Sequence, residues 1–134
     1  MSKERFGSWV KPDMTHGVLT KWNWMAQHPE NIVIGHKSDI GAFTYMNGKH
    51  GIELGNNVQL GSHCSVYSES TIDNKSGKVI IGDNTCVGSH STIMPGVKIG
   101  KNCLIGAHSF VNKSIPDNTV AFGVPVKIRV KNEV

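Results

Sequence analysis

The 134-residue sequence is poor in several things that would place a protein in a common functional class. It has three cysteines, Cys64, Cys86 and Cys103, an odd number without Cys-x-x-Cys spacing. That pattern excludes a disulfide frame and a zinc knuckle and predicts reduced thiols. No run of eighteen apolar residues occurs, so no membrane insertion is expected. The segment from Met1 to Phe6 carries Lys3, Glu4 and Arg5 where a signal peptide would be apolar, which gives a cytoplasmic expectation. The net charge of +4 comes from scattered Lys and Arg with no basic helix or aromatic-basic sheet, a distribution that argues against a nucleic-acid partner. The length allows one domain and no second core.

What the sequence does have is a period. From Val79 to Val111, Ile81, Val87, Ile93, Ile99, Ile105 and Val111 recur at a step of six, and four of these six are followed directly by Gly. Looser repeats precede them: Ile34-Gly35, Ile40-Gly41, Met46, Leu54-Gly55, Leu60-Gly61 and Val66. A six-residue strand cannot bury an apolar face alone, but three of them closing a triangular coil can, with position i and the small residue at i+4 sharing the interior. Cys64, Ser91, Cys103 and Ser109 occupy i+4, which makes both cysteines core fillers, and Gly at i+1 is expected to serve the corner. The spacing predicts an all-β chain, a parallel β-helix with three faces.

Two interruptions and a lead-in complete the layout. The step of eight from Met46 to Leu54 predicts a turn or bulge at Asn47-Gly48-Lys49. The step of fifteen from Val66 to Ile81, rich in turn formers from Asp73 to Lys78, predicts an extruded loop over 67–78. Residues 1–33 lack the six-step, hold Trp9, Trp22 and Trp24, and are expected to cap the open end of the stack. The β-helix then spans 34–115 and a tail follows over 116–134.

Arranging the repeat in three columns puts Ile34, Leu54, Ile81 and Ile99 in the first, Ile40, Leu60, Val87 and Ile105 in the second, and Met46, Val66, Ile93 and Val111 in the third. Three residues beyond each member of the second column stand Phe43, His63, His90 and His108. Three of the seven histidines thus share one corner. They form either a packed or solvated ladder or a site, and histidine exchanges a proton near neutral pH. Side-chain alternation turns Cys64 inward and His63 outward, against a Cys–His nucleophilic pair.

The stretch from Val87 to Lys127, V-G-S-H-S-T-I-M-P-G-V-K-I-G-K-N-C-L-I-G-A-H-S-F-V-N-K-S-I-P-D-N-T-V-A-F-G-V-P-V-K, resembles the C-terminal half of hexapeptide-repeat acetyltransferases of the galactoside, maltose and xenobiotic type. The resemblance implies a left-handed β-helix, a homotrimer with sites between subunits, and acetyl-coenzyme A as donor. It implies that Ser89 and Ala107 flank the pantetheine arm, and that Asn112, Lys113 and Lys127 lie near its phosphates. The thioester is then expected near Ser62 and His63, making His63 the first choice for general base and His90 the second.

Galactoside-type enzymes carry their catalytic histidine in the loop after the segment matching Val66, and here that loop contains none. An amine needs less help from a base than a hydroxyl does. The departure therefore favours N-acetylation of an amino sugar, nucleotide-linked, with O-acetylation of a sugar or xenobiotic as the alternative. Asn47, Tyr67, Glu69 and Asp73 are the residues expected to hold the acceptor. The γ-class carbonic anhydrases share the repeat and bind a metal through histidines, but the pair five apart within one coil that they use is absent, so no metal is expected. A scaffold without chemistry is the remaining reading.

Overall fold

The computed structural model describes residues 7–131. The expectation of a leader-free start at Met1 to Phe6 lies outside them, as do the last three residues of the 116–134 segment.

The chain winds through about five turns with only 2% helix. The first face stacks Met25–Gln27, Tyr45–Asn47, Ser65–Tyr67, Thr92–Ile93 and Phe110–Val111 in parallel. The second stacks Ile32–Ile34, Ile52–Leu54, Val79–Ile81 and Lys98–Ile99. The third stacks Asp39–Ile40, Gln59–Leu60, Cys86–Val87, Leu104–Ile105 and Thr119–Phe122, and Lys127–Lys131 closes it antiparallel.

The observed register reproduces the three columns: Ile34, Leu54, Ile81 and Ile99 pair in sequence, as do Ile40, Leu60, Val87 and Ile105, and Met46, Val66, Ile93 and Val111. All are buried. Each side chain of this size is stabilised by roughly 1.5–3 kcal/mol on burial, and only coils stacked on both sides bury it.

The i+4 residues are buried as expected, and they also join coil to coil. The hydroxyls of Ser38, Thr44, Thr85 and Ser91 donate to the carbonyls of Gly55, Gly61, Gly100 and Gly106 at 2.7, 3.0, 2.7 and 3.2 Å. The Cys64 thiol does the same to Gly88 at 3.3 Å. The rung satisfies a buried donor and a carbonyl at once, so small polar residues cost little in this core.

The expectation for Gly at i+1 is corrected. These glycines do not make the turn; they lie where consecutive coils touch. A Cβ on Gly61 would come within 2.6 Å of the Ser89 nitrogen, and one on Gly88 within 2.4 Å of the Ala107 nitrogen. The turning is done two residues later, at i+3, where Lys37, Asn57, Asn84, Asn102 and Asn118 on one corner and Phe43, His63, His90 and His108 on the next have φ between 55° and 64°.

The stack also starts before Ile34. Met25–Gln27 and Ile32–Ile34 already belong to the first coil, with Ala26 in the third column, which hides the period because Ala lacks the expected aliphatic side chain. Above it the lead-in packs Trp24, 2% exposed, into the core, and Trp9 donates its indole N–H to the Ser38 carbonyl at 2.8 Å. Trp22 stays outside, with the Lys21 ammonium 4.6 Å from its ring centre. The predicted turn after Met46 is present, closed by Gly51 N–H to Gly48 carbonyl at 2.9 Å. The loop over 67–78 contains a small antiparallel hairpin, Glu69–Ser70 against Lys75–Ser76, with Ile72 at its tip 99% exposed.

Candidate active site

The ladder histidines meet as their spacing predicts. The rings of His63 and His90 stack with centres 4.7 Å apart and 5° between planes, those of His90 and His108 at 4.8 Å and 14°, and Phe43 tops the column 5.3 Å from His63. All are exposed. Stacked rings turn their faces to one another and their nitrogens sideways, so the column does not converge on a point as metal ligands would. Beside it the corner triplets, Gly-x-Phe in the first coil and Gly-x-His in the next three, carry Ala42, Ser62, Ser89 and Ala107, bonded through His63, His90 and His108 N–H to the Ala42, Ser62 and Ser89 carbonyls at 2.9, 3.0 and 2.9 Å. This makes a strip of small side chains along the axis, flanked by rings. A slender extended arm fits such a strip. Lys127 is exposed and pairs with Phe122, beside the last coil of the strip, whereas the exposed Asn112 and Lys113 follow Val111 at the opposite edge of the first face.

The four residues expected to hold an acceptor come together elsewhere. Asn47, Tyr67, Glu69 and Asp73 line one cleft of about 580 Å³, between the first face and the hairpin. Gln27, Tyr45, Ser70, Thr71, Ile72 and Met94 complete its wall. On its floor Tyr45 donates its hydroxyl to Gln27 Oε1 at 2.6 Å, and the Asn47 amide reaches the same oxygen at 3.5 Å. Burial raises the Tyr45 phenol above its ordinary pKa, partly offset by the Asn47 contact. Tyr67 lies 5.7 Å from the Tyr45 ring.

Glu69 is the most engaged carboxylate of the cleft. His50 Nε2 lies 3.2 Å and Lys49 Nζ 3.3 Å from the same oxygen, Oε1. The hydrogen bond from His50, followed by the lysine contact, holds the carboxyl below its usual range despite some desolvation. Asp73 is lowered chiefly by the Ser70 hydroxyl, which donates to it at 2.5 Å, and Lys75 stands 3.5 Å away.

The predicted residues therefore form two groups. His63 and Glu69 belong to one coil, but six residues of extended chain, on the order of 20 Å, separate them across the first face. His63 and His90 do not line the cleft. Cys64 and Cys103 lie in the core, where burial pushes both thiols up, as expected for fillers.

Sequence reasoning missed Gln27, Tyr45, Lys49 and His50. A signal existed for the first: Gln27, Asn47 and Tyr67 stand twenty apart and pair directly across coils. His50 had none, because it reaches Glu69 from the preceding coil. Among the described residues no helix is long and apolar enough to cross a membrane, and no group of three His, Cys, Asp or Glu could hold a metal ion.

Fold and repeat together define the class: a left-handed parallel β-helix built from hexapeptides. Residues 78–113 match the bacterial transferase hexapeptide family (six repeats), and the chain resembles the hexapeptide-repeat acetyltransferases. A galactoside O-acetyltransferase of Lactococcus lactis is 52% identical over 54 residues, 40% of this chain and 26% of that protein. The crystal structure of a maltose O-acetyltransferase from Clostridium difficile superposes with a TM-score of 0.75 at 32% identity, covering 81% of this chain and 63% of that one. AntD, an N-acyltransferase from Bacillus cereus solved with dTDP and 3-hydroxybutyryl-CoA, superposes with a TM-score of 0.70 at 27% identity, covering 86% and 79%. The chain spans less than half the length of the curated relatives it matches.

Proposed function

We propose that this protein is an acetyl-coenzyme A-dependent acetyltransferase that acts, as a homotrimer, on the amino group of a sugar, one carried on a nucleotide for surface glycan synthesis. The observation that carries the reading is the cleft beside the transferase repeat: the four residues expected to hold a sugar line it, and Gln27, Glu69 and Asp73 bring acceptors for hydroxyl and amine donors. Tyr67 and Met94 add apolar contact of the kind a sugar ring uses.

Ser89 and Ala107 flank the donor's arm, and Asn112, Lys113 and Lys127 meet its phosphates as polar and point-charge partners. The acceptor nitrogen, its ammonium form having first given a proton to solvent, attacks the thioester carbonyl with its lone pair. His63, or otherwise His90, accepts the proton lost from nitrogen, and the coenzyme A thiolate leaves with the electron pair of the broken C–S bond. The N–H groups of Gly61 and Gly88 are engaged by the Val87 and Ile105 carbonyls, so the oxyanion falls to the neighbouring Ser62 or Ser89 N–H. Because the His63 corner and the cleft lie at opposite edges of one face, the corner of one subunit serves the cleft of the next.

The test is thiol release from acetyl-coenzyme A in the presence of nucleotide-linked amino sugars, free galactosides or chloramphenicol. Release with the amino sugars is the expected result. O-acetylation is the second reading, favoured by the galactoside and maltose enzymes that the chain resembles, and release with hydroxyl acceptors alone would establish it. Release with none of them removes the transferase reading.

A further inference from the structure

The loop after Val66 has no histidine of its own, yet one stands over it. The turn closed by Gly51 and Gly48 carries His50 out of the preceding coil, and the backbone there is fixed by Ser68. The His50 N–H donates to Ser68 Oγ at 2.9 Å, Ser68 Oγ donates to the Asn47 carbonyl at 2.7 Å, and the Ser68 N–H donates to the same carbonyl at 2.9 Å. Ser68 is fully buried, and its carbonyl accepts from Gly77 N–H at 2.9 Å, at the far end of the hairpin. One buried serine thus ties the His50 turn, the exit of the first-face strand and the base of the hairpin into a single rigid joint.

From that joint His50 and Lys49 both reach Oε1 of Glu69, at 3.2 and 3.3 Å, which leaves Oε2 for a ligand in the cleft that Glu69 lines. A carboxylate that lines a cavity and is held ionised by two donors on one oxygen keeps its other oxygen as an acceptor for an amine or ammonium N–H. The remaining polar groups agree. Asp73 on the hairpin and Gln27 Oε1 on the floor are acceptors, while the lysines that could greet a phosphate, Lys49 and Lys75, are paired at the outer rim with Glu69 and Asp73.

We infer that Glu69 binds the acceptor's free amino group and that His50 is the positioning residue that aims its carboxylate. The inference rests on the cleft being the acceptor site of the proposed transfer, and it adds what that site reads: an amine, in preference to the acetamide that transfer would produce. An acetamide nitrogen cannot be protonated and carries one N–H and a bulky acyl group, so it forfeits the ion pair and all but one of the donors. The same contact that selects the substrate thus helps to release the product.

Binding measures this apart from turnover. UDP- and dTDP-linked amino sugars, each with its N-acetylated counterpart, are titrated calorimetrically into the wild-type chain and into Glu69→Gln, His50→Ala and His50→Gln. Wild type is expected to prefer an amine form by about tenfold or more, given the strength of charge-assisted bonds. Glu69→Gln should lose the preference, His50→Ala should lose most of it, and His50→Gln, whose amide N–H can still reach Oε1, should regain most of it. Both side chains are exposed enough for the variants to fold, and circular dichroism checks that they do. No preference in wild type, or the same preference in Glu69→Gln and His50→Ala, overturns the inference. Preference without thiol release would instead leave the inference standing and remove the transferase reading.

Discussion

A residue in the left-handed region pays a steric cost that Asn, Asp and His bear better than most, and the histidine column sits on such a corner. On the neighbouring corner the same position holds Asn57, Asn84, Asn102 and Asn118. The histidines therefore have a conformational reason to be there as well as the proposed chemical one, and Ala is a poor probe because it changes both. Asn separates them. His63→Asn and His90→Asn should keep stability within about 0.5 kcal/mol in urea titrations, whereas His90→Val should cost about 1–2 kcal/mol because its branched Cβ crowds the left-handed backbone. If one of the two is the base, its Asn variant lowers turnover by about ten- to ten-thousandfold with coenzyme A affinity retained. Wild-type turnover in both Asn variants rejects the assignment.

Glu69 gives a pH prediction of definite sign. Its carboxyl is lowered on folding by His50, so the stability it lends is present above the unfolded carboxylate value, about 4.3, and is lost as pH falls through the folded value. The stability difference between wild type and Glu69→Gln should hold from neutrality to about pH 5 and vanish at lower pH, as followed by acid titration of thermal melting.

At the scale of the repeat unit, the six-residue step made the coil visible because from Ile34 on each column position holds a large aliphatic or Met side chain. The three columns, the inward cysteines and the outward histidines all followed from that period, since a strand's alternation decides the face and the coil length decides the neighbour. What the period could not show is contact between positions out of step. Ala26 begins the stack unseen because Ala is small, and His50 meets Glu69 through a turn and a hairpin that both interrupt the count. The role of Gly was misjudged for a related reason. One coil suggests that Gly bends the corner, while only two coils together reveal that a Cβ there would collide with the next backbone.

That distinction is measurable. Gly88→Ala must push a Cβ against the Ala107 nitrogen and should cost about 1–3 kcal/mol as other overpacked sites do. Gly96→Asn, at φ 80° with nothing within 4 Å, should be nearly neutral. Thr85→Val tests the rungs. It strips a hydroxyl that donates to the Gly100 carbonyl and accepts from Cys103 N–H, leaving both unsatisfied in the core, and should cost about 1–3 kcal/mol at unchanged volume.

At the scale of the whole molecule, the geometry sets the proposed donor strip and the proposed acceptor cleft on opposite edges of the first face. A six-residue step from His63 to Glu69 exceeds the reach of any single bond-forming encounter, so one chain holding both substrates would hold them apart. In the proposed homotrimer the corner of each chain faces the cleft of a neighbour, and each site draws one half from each of two subunits. A complementation experiment decides this. His63→Asn and Glu69→Gln chains, each with impaired transfer alone, are unfolded, mixed in equal amounts and refolded together. In a random mixture about one site in four joins an intact His63 corner to an intact Glu69 cleft, so about a quarter of wild-type turnover should return. If both halves act within one chain, no mixture contains an intact site and turnover stays at the mean of the two variants. Recovery that tracks the product of the two mole fractions, with its maximum at equal mixing, is the signature of a site completed by a second copy.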